Sequence, residues 1–279
     1  MPSSASAYLR SRLEPHYSRS EAACLSRTLC IDVLGWSQVE YYADKDKVFS
    51  RSELQTVDPI IERLCRYEPI EYILGYTTFL GHRIGVSPAV LIPRPETEEL
   101  VELMLADLPA QGRFLDLCTG SGCIAIALKL HRPSAQVTAL ELSPEAIAVG
   151  RHNAGSLGAE IRFIEADVLT YEPGADDVYD CMVSNPPYVC LSERADMQPN
   201  VLNYEPHMAL FVPDEAPLLF YRAIARIGRK ALRPGGKLYL EVNRAHGRDV
   251  LRMLDKAGYA NAELKRDLSG NERFIIATK

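Results

Sequence analysis

The feature that most constrains the fold is a short apolar segment that runs directly into a glycine-rich turn. Residues 114–122 read F-L-D-L-C-T-G-S-G, and the apolar run C-I-A-I-A-L-K-L follows them. Glycine has no Cβ, so its backbone can turn sharply and approach a ligand closely. A helix that starts after such a turn presents unpaired N–H groups at its N-terminus. The segment therefore predicts a strand, a ligand-facing turn and a helix.

Strand and helix patterns alternate from residue 93 to residue 279. This alternation indicates an α/β fold with a mostly parallel sheet and helices on both faces. We therefore expect one α/β domain over residues 93–279. The predicted strands cover residues 113–118, 135–142, 161–167, 178–184, 237–242, 261–267 and 272–278.

Residues 1–75 show the spacing and caps of short helices instead. Asp58-Pro59 is expected to open one of them, with proline at its first position. Nine Lys or Arg stand against eleven Asp or Glu in this segment, so it is not a basic arm. We predict a small helical bundle. Its two expected capping boxes pair Ser37 with Glu40 and Ser50 with Glu53.

Residues 76–92 differ from both neighbouring segments. They are rich in β-branched and aromatic residues and are interrupted by Gly81 and Gly85. This composition predicts a β-hairpin that turns near Gly81-His82. We interpret the hairpin as the joint between the helical domain and the α/β domain.

Charge and cysteine content exclude several classes of protein. The formal net charge of −6 disfavours a long nucleic-acid-binding surface, which carries a basic excess. No stretch reaches the ~18 apolar residues of a membrane span, and the N-terminus lacks the pattern of a signal peptide. The seven cysteines are odd in number and form no C-x-x-C motif. We therefore expect a reduced, cytoplasmic protein with neither a zinc site nor disulfides.

The fourth predicted strand of the sheet ends in Ser184-Asn185-Pro186-Pro187-Tyr188. Proline cannot donate to a sheet, so the strand must stop at the carboxyl edge, where such sheets bind ligands. The side-chain oxygen of Asn185 and the carbonyl of Pro186 can accept both hydrogens of an amide or amine NH₂. Tyr188 offers a flat face to a planar group. The segment therefore favours chemistry on a planar nitrogen that is a poor nucleophile.

Two cofactor classes fit the glycine turn. The sequence G-S-G-C-I-A, with Glu141 nineteen residues beyond Gly122, fits the dinucleotide fingerprint. The sequence D-x-x-T-G-S-G from Asp116 also resembles the first motif of class I S-adenosylmethionine (SAM) methyltransferases. Asp167 resembles the acidic residue that those enzymes direct at the adenine amine. The N-P-P-Y segment favours methyl transfer, because a dehydrogenase has no use for it.

With these motifs identified, the chain resembles the bacterial release factor glutamine N5-methyltransferases over nearly its whole length. N-P-P-Y is shared with adenine methyltransferases, so the specific signal is P-R-P-E-T-E joined to N-P-P-Y. The segments that carry the resemblance are F-L-G-H-R-I-G-V-S-P-A-V-L-I-P-R-P-E-T-E, L-D-L-C-T-G-S-G-C-I-A-I-A-L, V-S-N-P-P-Y-V, E-P-H-M-A-L, L-R-P-G-G-K-L-Y-L-E-V and D-L-S-G-N-E-R.

The resemblance implies a class I SAM-dependent methyltransferase fold with a Rossmann-like, seven-stranded sheet. It implies methyl transfer from SAM to the glutamine of the Gly-Gly-Gln loop of peptide chain release factors, which residues 1–75 recognise. The enzyme is expected to be a monomer that needs no metal, stable nucleic-acid partner or membrane. Catalytic roles are implied for Asn185, Pro186 and Tyr188. The implied SAM contacts are Cys118, Thr119, Gly120, Ser121, Gly122, Glu141, Asp167, Val168 and Asn185, and the implied substrate contacts are Asn185, Pro186, Pro187 and Tyr188.

Two residues depart from the family pattern, and several alternatives stay open. Cys118 stands where the family commonly has glycine, and Val168 where some relatives carry tryptophan beside the adenine. A ribosomal-protein glutamine methyltransferase or a DNA adenine methyltransferase would share the chemistry. An NAD-dependent oxidoreductase or a catalytically silent SAM-binding module would not.

Overall fold

The computed structural model describes residues 4–43 and 46–279. Contacts within the chain group it into two compact units, which are described separately. The smaller unit contains the chain up to Leu74 together with Pro199–Tyr204. The larger unit contains Gly75–Gln198 and Glu205–Lys279, so the hairpin segment 76–92 groups with it.

The smaller unit is helical, and four of its helices begin at serine side-chain caps. The Ser50 hydroxyl accepts the Glu53 N–H while the Glu53 carboxylate accepts the Ser50 N–H, and Ser37 and Glu40 repeat the arrangement. Both predicted capping boxes are thus present. Trp36 is buried in the core and donates its indole N–H to Glu53 at 2.6 Å. The elements are α1 (Ala5–Leu13), α2 (Arg19–Thr28), a π-helical turn (Leu29–Val33), α3 (Gln38–Ala43), α4 (Arg51–Leu64), α5 (Ile70–Leu74) and, later in the chain, α9 (Pro199–Tyr204).

The expectation that Asp58-Pro59 opens a new helix is wrong. Helix α4 starts at the Ser50 cap and continues through Pro59 without interruption. Proline lacks an N–H and its ring crowds the carbonyl four residues earlier, so it weakens a helix interior. Val57, Ile61 and Leu64 recur at helical spacing and are completely or almost completely buried. Burial of this continuous apolar face outweighs the cost of the proline.

The larger unit is built on the predicted α/β sheet, which has seven strands. Its strand order is β10-β11-β9-β6-β3-β4-β5, and all neighbours are parallel except that β11 runs antiparallel to β9 and β10. The strands are β3 (Arg113–Leu117), β4 (Gln136–Glu141), β5 (Ile161–Glu165), β6 (Tyr179–Ser184), β9 (Leu232–Glu241), β10 (Ala260–Arg266) and β11 (Glu272–Thr278).

Helices cover both faces of this sheet, because its central strands are apolar on both sides. Phe114 and Leu115 of β3 belong to different core clusters, as the alternation of side chains along a strand requires. One face packs against α6 (Pro95–Asp107), α7 (Cys123–His131) and α8 (Pro144–Ser156), and the other against α10 (Leu219–Ala231) and α11 (Gly247–Lys256).

The hairpin predicted near Gly81-His82 is formed by β1 (Tyr76–Phe79) and β2 (His82–Gly85). Buried Asn153 on α8 holds Gly85 through two hydrogen bonds, one to its N–H at 2.8 Å and one to its carbonyl at 2.9 Å. The same Asn153 amide donates to the Ser121 carbonyl at 2.9 Å. The hairpin is therefore fastened to the glycine turn.

The segment after Tyr188 contains elements that the sequence patterns did not predict. Two short parallel strands, β7 (Val189–Cys190) and β8 (Phe211–Val212), pair with each other. Two 3₁₀ turns, Leu191–Asp196 and His207–Ala209, lie between these strands in the chain. The sequence R-P-G-G at residues 233–236 lies within the bounds of β9, at a shift in the pairing register with β6.

Asp116 connects β3 to the start of α7. One carboxyl oxygen accepts the Thr119 hydroxyl at 2.5 Å and the Ala125 N–H at 3.2 Å, and the other has no partner among the described residues. The side chain is completely buried, and this burial raises the pKa of the carboxyl to about 7. Burial therefore favours the protonated form of the acid that connects β3 to the start of α7.

We predict that Pro59→Ala stabilises the smaller unit by about 1–3 kcal/mol, because Pro59 is exposed and a proline inside a helix costs up to about 3 kcal/mol relative to alanine. Urea unfolding followed by the fluorescence of Trp36, the single tryptophan of the chain, measures the change. Glu62→Ala, an exposed position on the same helix, is the matched control and should shift the midpoint little. An unchanged or lowered midpoint for Pro59→Ala would contradict the account of α4.

We predict that Asp116 makes stability fall as pH rises. Its folded pKa of about 7 lies above the ordinary value of about 3.9, so between these values only the folded state keeps the proton. Its contribution is complete below the ordinary pKa and is lost as pH rises through the folded one. The free energy of unfolding should therefore lose up to about 1.4 kcal/mol per pH unit from this group.

Denaturant unfolding of the wild type and of Asp116→Asn between about pH 5 and 8 isolates this effect, because asparagine does not titrate. The difference between the two proteins should slope with pH and level off at the alkaline end. Asp255→Asn, on an exposed position of α11, makes the same chemical change outside the core and is the matched control. A pH-independent difference for Asp116→Asn would show that the buried acid is ionised throughout.

Candidate active site

A cavity of about 330 Å³ lies at the carboxyl edge of the sheet in the larger unit. Parallel pairing places the ends of β3, β4, β5 and β6 at this one edge, and the Ser184 hydroxyl fastens β6 to β3 by donating to the Leu117 carbonyl at 2.6 Å. The predicted site residues that line the cavity are Cys118, Thr119, Gly120, Ser121, Glu141, Asp167, Val168, Asn185 and Pro187. Gly122, Pro186 and Tyr188 are not among its lining residues.

Glycine is needed at positions 120 and 122 of the turn for two different physical reasons. Both have left-handed backbone, with φ of 54° at Gly120 and 80° at Gly122. A Cβ at Gly120 would meet no protein atom within 4 Å, and this residue lines the cavity. A Cβ at Gly122 would lie 3.3 Å from Ile126 and 3.4 Å from the Gly150 backbone. Gly120 therefore leaves space for a ligand, whereas Gly122 lets α7 pack closely against α8.

Cys118 also has left-handed backbone, with φ of 61°. This conformation costs an L-residue roughly 1–2 kcal/mol and costs glycine nothing, which explains why glycine suits the position. Cys118 lines the cavity and packs partly against the core on the α10 side. Burial raises the pKa of its thiol well above the usual range, so the side chain is a neutral, apolar part of the wall.

Glu141 is held in place at the end of β4 by three backbone donors. One carboxylate oxygen accepts the N–H groups of Leu142 at 2.8 Å and Ser143 at 3.1 Å, and the other accepts the Gly120 N–H at 2.9 Å. A carboxylate offers about four lone-pair positions, so one position remains for a hydroxyl donor in the cavity. Glu141 thereby links the glycine turn to the loop after β4.

Asp167 and Val168 form the wall beyond β5. One oxygen of Asp167 accepts the Leu169 N–H at 2.8 Å, and no described residue donates to the other. Val168 is buried and belongs to the core cluster packed against α10. The pair therefore presents a fixed acceptor beside an apolar surface.

The Asn185-Pro186 segment presents two oxygen acceptors just beyond β6. The Asn185 amide NH₂ donates to the Thr97 hydroxyl at 3.2 Å, whereas no described residue donates to its side-chain oxygen. The Pro186 carbonyl likewise receives no hydrogen bond from the described residues. Neither oxygen is thus taken by a donor among the described residues.

Tyr188 lies behind this segment. Its hydroxyl donates to one oxygen of Glu241 at 3.0 Å, and its ring packs against the core on the α10 side. Burial raises the pKa of Tyr188 well above its usual range, so the hydroxyl keeps its proton. The predicted stacking of Tyr188 on a substrate remains a prediction.

The structure adds side chains to which the resemblance gave no individual role. Arg94 and Thr97 line the cavity from the start of α6, within the R-P-E-T-E segment. Buried Glu205 binds Arg94 at 2.5 Å and the Ile92 N–H at 3.1 Å, which fixes the loop before α6. Glu241 lies in the L-R-P-G-G-K-L-Y-L-E-V segment that carries the resemblance and is a charged residue inside an apolar strand sequence, but no role was implied for it. No group of three or more His, Cys, Asp or Glu among the described residues is arranged to hold a metal ion.

Comparisons with known proteins agree with this geometry. Residues 4–75 match the family model of the PrmC N-terminal domain, and residues 96–202 match that of the methyltransferase small domain. A crystal structure of a methyltransferase from Pyrococcus furiosus, 17% identical, superposes with a TM-score of 0.54 over 80% of this chain and 98% of that one. It therefore supports the class I SAM methyltransferase fold. Among the described residues, no helix combines the length and apolarity needed to cross a bilayer.

Curated relatives extend the match to the whole chain. A release factor glutamine methyltransferase of Bacteroides thetaiotaomicron is 45% identical and covers 98% of both chains. One of Flavobacterium psychrophilum is 40% identical over 85% of each, and one of Leptospira interrogans is 37% identical over 90% of this chain and 89% of its own. This chain therefore belongs to the release factor glutamine methyltransferase family of SAM-dependent enzymes.

Proposed function

We propose that this enzyme transfers the methyl group of SAM to the side-chain amide nitrogen, N5, of the glutamine in the Gly-Gly-Gln loop of peptide chain release factors. The observation that carries the proposal is the pair of available acceptors, the Asn185 side-chain oxygen and the Pro186 carbonyl, next to a glycine-turn cavity. A primary amide has two N–H groups, and this pair matches them.

The cavity residues fit SAM. Gly120 leaves open space next to the helix N-terminus, where the amino-acid part of SAM would find both backbone donors and acceptors. Glu141 keeps one acceptor position for a ribose hydroxyl, and Asp167 has an oxygen available for the adenine amine. Val168 and Cys118 would supply apolar contacts. When bound, SAM supplies an electrophilic methyl group on a sulfonium.

The chain's own residues would act by orientation. The Asn185 oxygen and the Pro186 carbonyl would accept the two N5 hydrogens and direct the nitrogen lone pair toward the methyl group. Orientation and proximity can lower a barrier by about 7–11 kcal/mol in favourable cases. The N5–carbon bond forms as the sulfur–carbon bond breaks, and one nitrogen proton then leaves to water. Glu241 is buried and bonded to two hydroxyls, so it is not the base.

We further propose that the N-terminal helical domain, residues 1–75, recognises the release factor and that the enzyme acts as a cytoplasmic monomer. The match to the PrmC N-terminal domain over residues 4–75 supports the first part. The odd number of cysteines and the lack of a C-x-x-C motif support a reduced compartment.

The proposal predicts that methyl-labelled SAM and purified release factor give label on the Gly-Gly-Gln glutamine, located by mass spectrometry of the loop peptide. A release factor with glutamate in place of that glutamine is the control and should stay unlabelled, because it lacks the amide. Label on a ribosomal protein or on DNA adenine, with none on the release factor, would contradict the substrate. Thermal stabilisation by NAD and none by SAM would contradict the whole class.

Asn185→Ala should lower the turnover number about 10²–10³-fold, the usual effect of removing one preorganised acceptor or donor from a transition state. Affinity for SAM, measured by calorimetry, should stay within about threefold, because the lost oxygen acts when the glutamine amide is docked. Turnover close to that of the wild type would exclude the role given to Asn185. A loss of SAM affinity matching the loss of turnover would instead make it a cofactor contact.

A further inference from the structure

We propose that Thr97 and Glu241 are positioning residues that fix which end of the Asn185 amide faces the substrate. The inference deepens the proposed function and rests on it for its catalytic consequence. With Glu241 as a carboxylate, the hydrogen bonds among these three side chains run in one direction, and that direction leaves the Asn185 oxygen toward the reacting nitrogen.

The three side chains form a continuous chain of hydrogen bonds. The Thr97 hydroxyl lies 2.7 Å from one oxygen of Glu241, and the Asn185 NH₂ lies 3.2 Å from the same hydroxyl. Ser184 pairs with Leu240 across β6 and β9, so Asn185 and Glu241 leave neighbouring strands at the same edge. Thr97 stands in the first turn of α6, whose N-terminus lies above them.

The direction of these hydrogen bonds follows from the number of protons that each side chain can donate. A threonine hydroxyl has one proton and two lone pairs. Thr97 gives its proton to Glu241, so it can only accept from Asn185. An amide has a donor end and an acceptor end, and its donor end is thereby fixed on Thr97. The Asn185 oxygen must then be the opposite end of the same planar group.

Glu241 is the last acceptor in this series of hydrogen bonds. Its two oxygens each take a hydroxyl proton, one from Thr97 and the other from Tyr188. The residue is buried. Burial raises the pKa of Glu241, whereas the hydroxyls of Thr97 and Tyr188 and the Arg273 guanidinium favour the carboxylate. As a carboxylate Glu241 accepts only, and its hydrogen bonds to the two hydroxyls then run one way.

The direction matters because shape alone cannot set it. The oxygen and the NH₂ of an asparagine side chain are nearly equal in size, so a half-turn of the amide meets no steric obstacle. A turned amide would present N–H groups to the N–H groups of the glutamine and would oppose docking. Thr97 and Glu241 therefore fix the orientation of the Asn185 amide, so that its oxygen and not its NH₂ faces the substrate.

The test compares Thr97→Val, which keeps the shape and removes the hydroxyl, with Thr97→Ser, which keeps the hydroxyl. Steady-state methylation of the release factor is measured together with SAM affinity and unfolding midpoint. We expect the turnover number of Thr97→Val to fall about 10–100-fold, since the Asn185 acceptor is then only partly oriented. KM for the release factor and SAM affinity should stay within about threefold, and Thr97→Ser should regain most of the turnover.

Equal activity of Thr97→Val and wild type would overturn the proposal, as would equal losses in the valine and serine variants. If Thr97→Val does not fold, Thr97→Ala removes the same hydroxyl without a branched side chain, and the same comparison with serine applies.

A second measurement separates this inference from the proposed function. The Asn185 side-chain NH₂ is followed by nuclear magnetic resonance in the protein saturated with S-adenosylhomocysteine, and its signal is assigned by its absence in Asn185→Asp. One N–H should be protected from solvent exchange in the wild type and in Thr97→Ser and should lose protection in Thr97→Val. Absence of protection in the wild type would overturn the inference. A wild type that shows protection but does not methylate release factors would instead overturn the proposed function.

Discussion

The parallel pairing of β6 with β3 on one side and β9 on the other is the constraint on which the rest of the site depends. It places the glycine turn, the Asn185-Pro186 segment and Glu241 at one edge of the sheet, although they lie far apart in the sequence. The Ser184 hydroxyl strengthens the junction by donating to the Leu117 carbonyl at the last residue of β3. A register shift of one residue would turn these side chains to the opposite face. The site therefore depends on the strand register, which brings its residues together.

Much of the fold could be predicted from the sequence because local signals and long-range packing agree there. The strand–turn–helix at residues 114–125 and the hairpin near Gly81 have strong local signals, and both form. Local signal and packing disagree at Pro59. The sequence there favours a helix start, but burial of Val57, Ile61 and Leu64 keeps one continuous helix. The short strands β7 and β8 had no periodicity to detect, because a two-residue strand is shorter than its own pattern.

The candidate site was predictable to the extent that its residues sit in motifs. The glycine turn, Glu141 and Asn185 were found because each follows a strand at the carboxyl edge. Glu205, Glu241 and Asn153 were not, because what they do depends on partners that are distant in the chain, such as Ile92, Thr97 and Gly85. A buried polar side chain costs free energy unless it is bonded, so such residues become meaningful only when their partners are known.

The geometry of Gly120 and Gly122 also affects how substitutions in the glycine turn are interpreted. The two residues are neighbours in one motif, yet an added methyl group would occupy ligand space at the first and would press on Ile126 and Gly150 at the second. A substitution at Gly122 can therefore weaken cofactor binding by spreading two helices, with no atom of the ligand touched. A variant that loses affinity for the cofactor therefore need not have lost a contact with it. Two neighbouring residues of one sequence motif can have separate structural roles.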